Sequence, residues 1–350
     1  MERFVFVAAI IGAIIFALVQ IVGSGPSMTF SIGDFEGGGS DPVVEAVAGQ
    51  VPPATYADGD IDLRYAAARV VITPEDRSDI SVSIDNPGRL PMPEIRAEGG
   101  KLIVDGQVRG RIESCVDDAV EVRGYGLIPT PELPVVTIHT PRSLAVDIGS
   151  GSSTEIGPSA SLQGAFTGCG TARIGDVADT LNVDLSGSVN VQTGAARILE
   201  ADLAGSGALR TGTIAERAEL DIAGSGEVEL ASVSGVLTVD GAGSGNVRVK
   251  GGALSEANID LAGSGDVEIA APVESLEVSV VGAGDVSVTA AVGEIDADIA
   301  GPGRVRAQSV SGAVRKEVWG SGDVIVGPVP PRPPAPPSAP VAPMPQGSPT

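Results

Sequence analysis

The residues of this chain best placed to do chemistry are carboxylates. Asp184, Asp202, Asp221, Asp240, Asp260, Asp298 and Glu317 follow one another at steps of 18, 19, 19, 20, 38 and 19 residues, with Ser279 standing at the one missed interval. Carboxylates at a fixed interval recur at one place in a repeating unit. A row of this kind could let divalent cations bridge neighbouring units, Ca²⁺ before others because it accepts flexible oxygen ligation. It could also attract a basic partner or a cation-bridged polysaccharide. The plain alternative is a solvated face that keeps the chain soluble. Apart from this row the inventory for catalysis is poor. His139, in "VTIHTP", is the single histidine. It has no neighbouring ligand pattern, which favours a structural role over a catalytic one. No H-E-x-x-H, Cys-His cluster or G-x-S-x-G motif accompanies it, so no catalytic residue and no cofactor other than Ca²⁺ is expected.

The elements that must position the carboxylates are written in glycine. Triplets such as "GSG" open at Gly149, Gly168, Gly187, Gly205, Gly224, Gly243, Gly263, Gly282, Gly301 and Gly320, a period near 19 residues held over ten units. A period of that size points to a solenoid with one coil per repeat. Within each unit, Leu199, Leu203, Leu237 and Leu261 belong to apolar columns six and two residues before the triplet, with polar residues between them. That period-2 alternation predicts strand. The alternation resumes after the triplet at Val228 and Leu230, Val247 and Val249, Val267 and Ile269, and a further apolar column holds Ile214, Val233, Val273, Val292 and Val310. Each coil therefore carries about three short strands. Stacking pairs each strand with its equivalent in the next turn, ~4.8 Å away. The fold class is all-β: a parallel, right-handed β-helix of about 19 residues per coil with a non-repeating β-rich lead. Glycine at the corner supplies positive φ without Cβ strain. A stack of Ser188, Ser206, Ser225, Ser244, Ser264 and Ser321 can hydrogen-bond along that corner. A glycine-rich phosphate loop is disfavoured, because those loops open a helix and no helical period follows any triplet.

Flanking segments set the compartment. The 19 residues from Phe4 to Val22 carry no charge and are long enough to span a bilayer, which favours an uncleaved signal anchor over a cleaved signal peptide. Positive charge lies only before this run, so the rest of the chain faces away from the cytoplasm. The expected organisation is a signal anchor or signal peptide over 1–27, a Gly/Pro-rich linker over 28–57, a β-rich lead over 58–145, the repeat β-helix over 146–326 and a Pro-rich polyproline II tail over 327–350. A net charge of −23 excludes nucleic acid as a partner, since phosphate binding needs clustered Lys and Arg. Cys115 and Cys169 are the only cysteines. Cys169 takes the corner serine's place in "TGCGTA", and in an oxidising compartment the two are expected to pair; two free thiols are the alternative. Trp319 replaces the usual small residue before the last triplet, where a cap over the end of the core is preferred to a sugar-stacking platform.

The repeated "AGSGDV" coils resemble the head GIN domain family of bacterial putative autotransporter adhesins. So does the lead, with "LRYAAARVVITPEDRSDISVSI", "GGKLIVDG" and "LPVVTIHTPRSLAVDIGSG". The resemblance covers roughly residues 58–326. It implies a secreted or envelope-anchored β-helix with surface binding and brings no catalytic residues. No lipid-facing run of alternating strands follows residue 326, which departs from the autotransporter plan. Two functions stand at this point. One is a non-catalytic adhesin-like envelope protein binding a surface, polymer or partner protein through its β-helix faces, anchored in the inner membrane facing the periplasm, or periplasmic or secreted if the apolar segment is cleaved. The other is a carbohydrate-active, polysaccharide-processing β-helix enzyme.

Overall fold

The computed structural model describes residues 43–328, with Asp58 and Asp117 excepted. The apolar run 4–22, the linker up to residue 42 and the Pro-rich segment from residue 329 lie outside the described residues. Among the described residues no helix is long and apolar enough to cross a membrane.

Small β-branched residues and leucines at alternate positions can hide only one side of a strand, and in this chain they hide it inside a coil. The architecture is a parallel β-solenoid of about ten turns with about 19 residues per turn. Successive turns pair in parallel register from glycine to glycine: Gly187 with Gly205, Gly205 with Gly224, Gly224 with Gly243, and Gly243 with Gly263. The inward columns are closed to solvent. Leu199, Ala218, Leu237 and Ala257 are fully buried, as are Leu220, Val239, Val228 and Leu230. Each such side chain contributes on the order of 1.5–3 kcal/mol when large, so a core with few aromatics is built by repetition.

The first triplet is displaced from its expected place by one residue. Ser150, not Gly149, pairs with Gly168, and it adopts a φ of 96°. The reason lies one layer earlier. Strand Asp60–Pro74 pairs in parallel with Ser143–Ile156, with a register shift opposite Ile148 and Ser150. The extra residue there shifts the corner.

That pairing also moves the start of the solenoid into the lead, where Asp60–Pro74 acts as an additional turn. Part of the segment expected to be a linker is ordered as well: Gly49–Ala57 is a strand, antiparallel to Asp79–Asn86. Val135–Thr140 pairs antiparallel with Asp79–Asn86 and parallel with Asp60–Pro74. These antiparallel strands terminate the solenoid, because no further coil can add to them in parallel register. A separate three-stranded sheet, Ile112–Val116, Ala119–Val122 and Gly126–Pro129, has its own small core of Ala67, Leu90, Val108, Val120, Val122, Ile128 and Leu133.

The other end is closed differently from the expectation. Trp319 pairs with Ala300, is 44% exposed, and stands in the outward column, out of phase with the half-buried Val318 that packs against the core. Alternation therefore turns its ring away from the core end. The core column that runs through Val278 and Ala297 ends instead at Lys316, whose Nζ reaches Asp323 Oδ1 at 2.7 Å. An inward charge at a terminal strand disfavours edge-to-edge stacking of another sheet.

Candidate binding face

The carboxylate row is a true ladder. Strand register sets Asp184 beside Asp202, then Asp221, Asp240 and Asp260. Ser279 follows, then Asp298 and Glu317. Two members escaped the sequence reading. Asp147 pairs with Asp62 and is separated from Asp184 by Ala165. Asp62 lies in the lead, where no repeat flags it, and only the parallel docking of Asp60–Pro74 brings it into line.

The neighbouring column carries Asn182, Glu200, Glu219, Thr238, Asn258, Glu277 and Asp296. On the other flank stand Ser186, Ala204, Ala223, Ala242 and Ala262. The small residues leave the aspartates as the tallest side chains of their strip. From Asp184 to Asp260 they are nevertheless only half exposed, because longer side chains beside them and the ladder itself shield them.

This environment disfavours charge. Burial, with hydrogen bonding to Asp184 and the charge of Asp221 adding to it, pushes the Asp202 carboxyl up to about 7. Burial, followed by the charges of Asp221 and Asp260, pushes Asp240 up to about 6. Burial raises Asp260 as well, opposed by a hydrogen bond with Ser279. It also raises Asp147, where Asp62 adds to the effect and Lys101 opposes it. In all four, desolvation is the largest cause, and neighbouring aspartates add to it at Asp202, Asp240 and Asp147. Asp202 and Asp240 thus take up protons closer to neutrality than an ordinary carboxylate does.

A raised carboxyl pKa has a definite sign in stability. Between the ordinary carboxylate value and about 7 the folded chain holds protons that the unfolded chain has released, so stability is lost as pH rises through that window. The protein is expected to melt at a higher temperature at pH 5.5 than at pH 8.5. Asp202→Asn should raise the pH 8.5 melting temperature by about 2–4 °C, equivalent to about 1 kcal/mol after discounting for partial exposure, and should flatten the pH profile. Circular dichroism melts at the two pH values decide this; an unchanged profile in the variant would count against proton uptake at Asp202.

Compensation operates on the following strand. Arg210, Glu229, Arg248 and Glu268 are stacked in register. Arg248 pairs with Glu268 at 3.2 Å, whereas Glu229 is taken by Lys250 at 2.5 Å and Arg210 approaches Glu227 at 3.7 Å. All three ion pairs thus join neighbouring turns, although only Arg248 and Glu268 stand directly in register. The corner serines are exposed, and Ser244 and Ser264 stand 3.1 Å apart, Oγ to Oγ.

The remaining candidates lie elsewhere. His139 is half exposed, with Nδ1 3.3 Å from Glu75 Oε1, and Glu75 also meets Arg77 at 3.0 Å. Cys115 and Cys169 are joined by a disulfide with Cα atoms 5.8 Å apart. It ties the three-stranded sheet to the second corner of the solenoid, where Cys169 follows Gly168. Among the described residues no group of three or more His, Cys, Asp or Glu converges as a metal ion requires. One carboxylate per turn on a straight line gives each neighbour pair two ligands from the row, fewer than the six to eight oxygens that Ca²⁺ takes.

Fold and site together define an acidic β-solenoid with one carboxylate ladder along its length. The chain belongs to the family described as putative auto-transporter adhesin, head GIN domain, whose model matches residues 66–253 and 253–329. Membership points to a cell-surface or envelope protein of adhesin-like type. No curated protein matches the chain. Among solved structures it is similar to a putative adhesin from Parabacteroides distasonis, at 15% identity and a TM-score of 0.40, covering 81% of this chain and 100% of the other. A putative lipid binding protein from the same organism gives 21%, 0.38, 78% and 96%. A putative adhesin from Parabacteroides merdae gives 14%, 0.35, 79% and 95%.

Proposed function

We propose that this chain is a non-catalytic envelope adhesin that binds a cationic surface polymer or a basic partner protein through the acidic face of its β-solenoid. The apolar segment 4–22 would tether it to the inner membrane facing the periplasm, or release it to the periplasm or exterior if cleaved. The observation that carries the reading is the in-register run Asp184, Asp202, Asp221, Asp240 and Asp260. Like charges ~4.8 Å apart repel by about 1 kcal/mol per pair in water, and burial adds to the cost. A partner bearing amines or guanidinium groups removes that repulsion on contact, so binding gains from a strain the free protein carries.

A carbohydrate-processing site would need aromatic residues beside the acids, and among the described residues the aspartate ladder has none. Phe166 is buried, the described tyrosines Tyr56, Tyr65 and Tyr125 lie in the lead, and Trp319 stands in the last turn. None of them borders the central aspartates.

The test uses the full chain and a lysine homopolymer of about 20 residues in low salt. Binding should weaken steeply with added salt, as exposed charge pairs are screened over about 10 Å at 0.1 M. It should fall at least tenfold in the triple variant Asp221→Asn, Asp240→Asn, Asp260→Asn, with melting unimpaired. Equal binding by wild type and triple variant would sink the reading. A melting temperature raised by millimolar Ca²⁺ in wild type and not in the triple variant would instead favour cation bridging.

A further inference from the structure

The beginning of the same sheet carries a cleft whose chemistry departs from the rest of the face. It measures about 490 Å³ and crosses four layers, from Ile61 in the lead through Leu144 and Leu162 to Asn182. Strand register places Ser143 beside Ser161, and Leu162 beside Leu181, so that Thr180 continues the hydroxyl row. In the parallel column Ala145, Gln163 and Asn182 are stacked. Further along the solenoid these two columns change character: the first becomes Ile198, Arg217, Val236 and Glu256, and the second becomes Glu200 and Glu219. Thr238, Asn258 and Ser275 recur singly further on, but only Ser161 with Gln163 and Thr180 with Asn182, in the turns that line the cleft, set an uncharged polar residue in both columns of one turn.

The floor is apolar. Ile61, Ile80 and Leu162 are buried and line the cleft, with Leu144 half-buried beside them. The wall includes Thr140, fully buried, whose hydroxyl has no hydrogen-bond partner among the described residues. Asn182 donates from its amide nitrogen to Glu200 at 3.0 Å, which fixes the amide between the cleft and the acidic column. No lysine or arginine lines the cleft, and its one carboxylate is Asp60 at the rim.

We infer that this cleft is a binding site for a neutral, hydroxyl-rich chain, namely an uncharged linear glycan. An apolar floor with a few convergent polar groups is the general form of a ligand site. Phosphate, sulfate and uronate groups would meet Asp60 and the −23 chain with no cation to receive them. A basic ligand would find far more charge on the ladder. An extended peptide fits poorly for a geometric reason: its same-face side chains repeat every ~6.6–6.8 Å, against ~4.8 Å between turns, so the two lose register over three layers. A sugar chain presents hydroxyls along both edges of every ring and C–H groups on its faces, which suits polar columns above a leucine and isoleucine floor. With no aromatic platform in the cleft, affinity is expected to be weak, about millimolar.

The inference does not rest on the acidic face, and the experiment separates the two. The full chain is titrated by calorimetry with linear hexamers of glucose, mannose and N-acetylglucosamine, and with a polygalacturonate hexamer. At least one neutral hexamer should bind, and the uronate should not. The variant Gln163→Glu with Asn182→Asp, which replaces amide donors by carboxylates of the same size, should weaken that binding at least tenfold. Ser161→Ala, a smaller change in the same row, should weaken it a few-fold while melting as wild type does. The Asp221→Asn, Asp240→Asn, Asp260→Asn variant should bind the neutral hexamer unchanged. No binding of any neutral hexamer at 10 mM, stronger binding of the uronate, or a hexamer affinity unaffected by Gln163→Glu with Asn182→Asp would each overturn the assignment.

Discussion

Replacing Gly243 by alanine is expected to destabilise the solenoid more than any conservative change at an exposed position. Gly243 turns the corner with a φ of 124°, a conformation that costs a side-chain-bearing residue of order 1–3 kcal/mol. A second penalty adds to it. A Cβ at Gly243 would lie 2.4 Å from the carbonyl oxygen of Gly224 in the turn before. The obstacle is backbone held in parallel register on both sides, so it cannot rotate away. The total should be about 3 kcal/mol or more, a fall in melting temperature of about 6–12 °C for a domain of this size. Ser244→Ala is the control. It removes one exposed hydroxyl contact with Ser264, worth about 0.5 kcal/mol or less. Thermal melts of the two variants side by side test the argument. Equal melting temperatures would show that the corner tolerates a side chain and that the triplet is retained for another reason.

The second large effect concerns the disulfide. Cys115 and Cys169 are 54 residues apart in sequence, and closing a loop of that length in the unfolded chain is worth about 4 kcal/mol on the chain-entropy estimate. Cys115 lies in the strand Ile112–Val116 of the small sheet, which meets the solenoid at Gly151. A Cβ there would lie 2.9 Å from Val120 Cγ1 and 3.3 Å from Cys115 Sγ. Contact is thus close but narrow. Loss of the bridge should act in two places: it lowers global stability, and it loosens the small sheet first, because that sheet has a core of seven buried residues of its own. Cys115→Ser is expected to lower the melting temperature by about 8–16 °C at most. Proteolysis under reducing conditions should cut within residues 106–134 before the solenoid. Two free thiols in denatured, unreduced protein, or identical melting with and without reductant, would show that the pair is not bonded in the isolated protein.

The two sites differ in how far they could be read without coordinates. Asp184, Asp202, Asp221, Asp240 and Asp260 announce themselves through the repeat, because a coil of fixed length returns each position to the same face. Their protonation does not announce itself. The rise at Asp202 and Asp240 comes from burial between neighbouring columns and from carboxylates one turn away, which are 18 to 20 residues distant in sequence. The cleft was silent in the sequence. Ser143, Ser161 and Thr180 are ordinary residues in their own strands, and Ile80 joins them only because Asp79–Asn86 pairs antiparallel with Val135–Thr140.

The sequence by itself determined the coil. Period-2 alternation chooses which side chains face inward, a 19-residue return fixes one turn per repeat, and glycine at each corner satisfies the positive φ that the turn requires; the first and last are local to one repeat, and the return is legible once successive repeats are compared. Tertiary structure alone decided the ends. The pairing of Asp60–Pro74 with Ser143–Ile156 makes an additional turn out of non-repeating residues, moves the first corner from Gly149 to Ser150, and draws Asp62 into the ladder. At the other end, register puts Lys316 in the core column and turns Trp319 outward. Ends escape sequence reasoning for one physical reason: a middle turn is specified by neighbours that are copies of itself, whereas a terminal turn must satisfy its open strand edge with whatever else the chain can bring there.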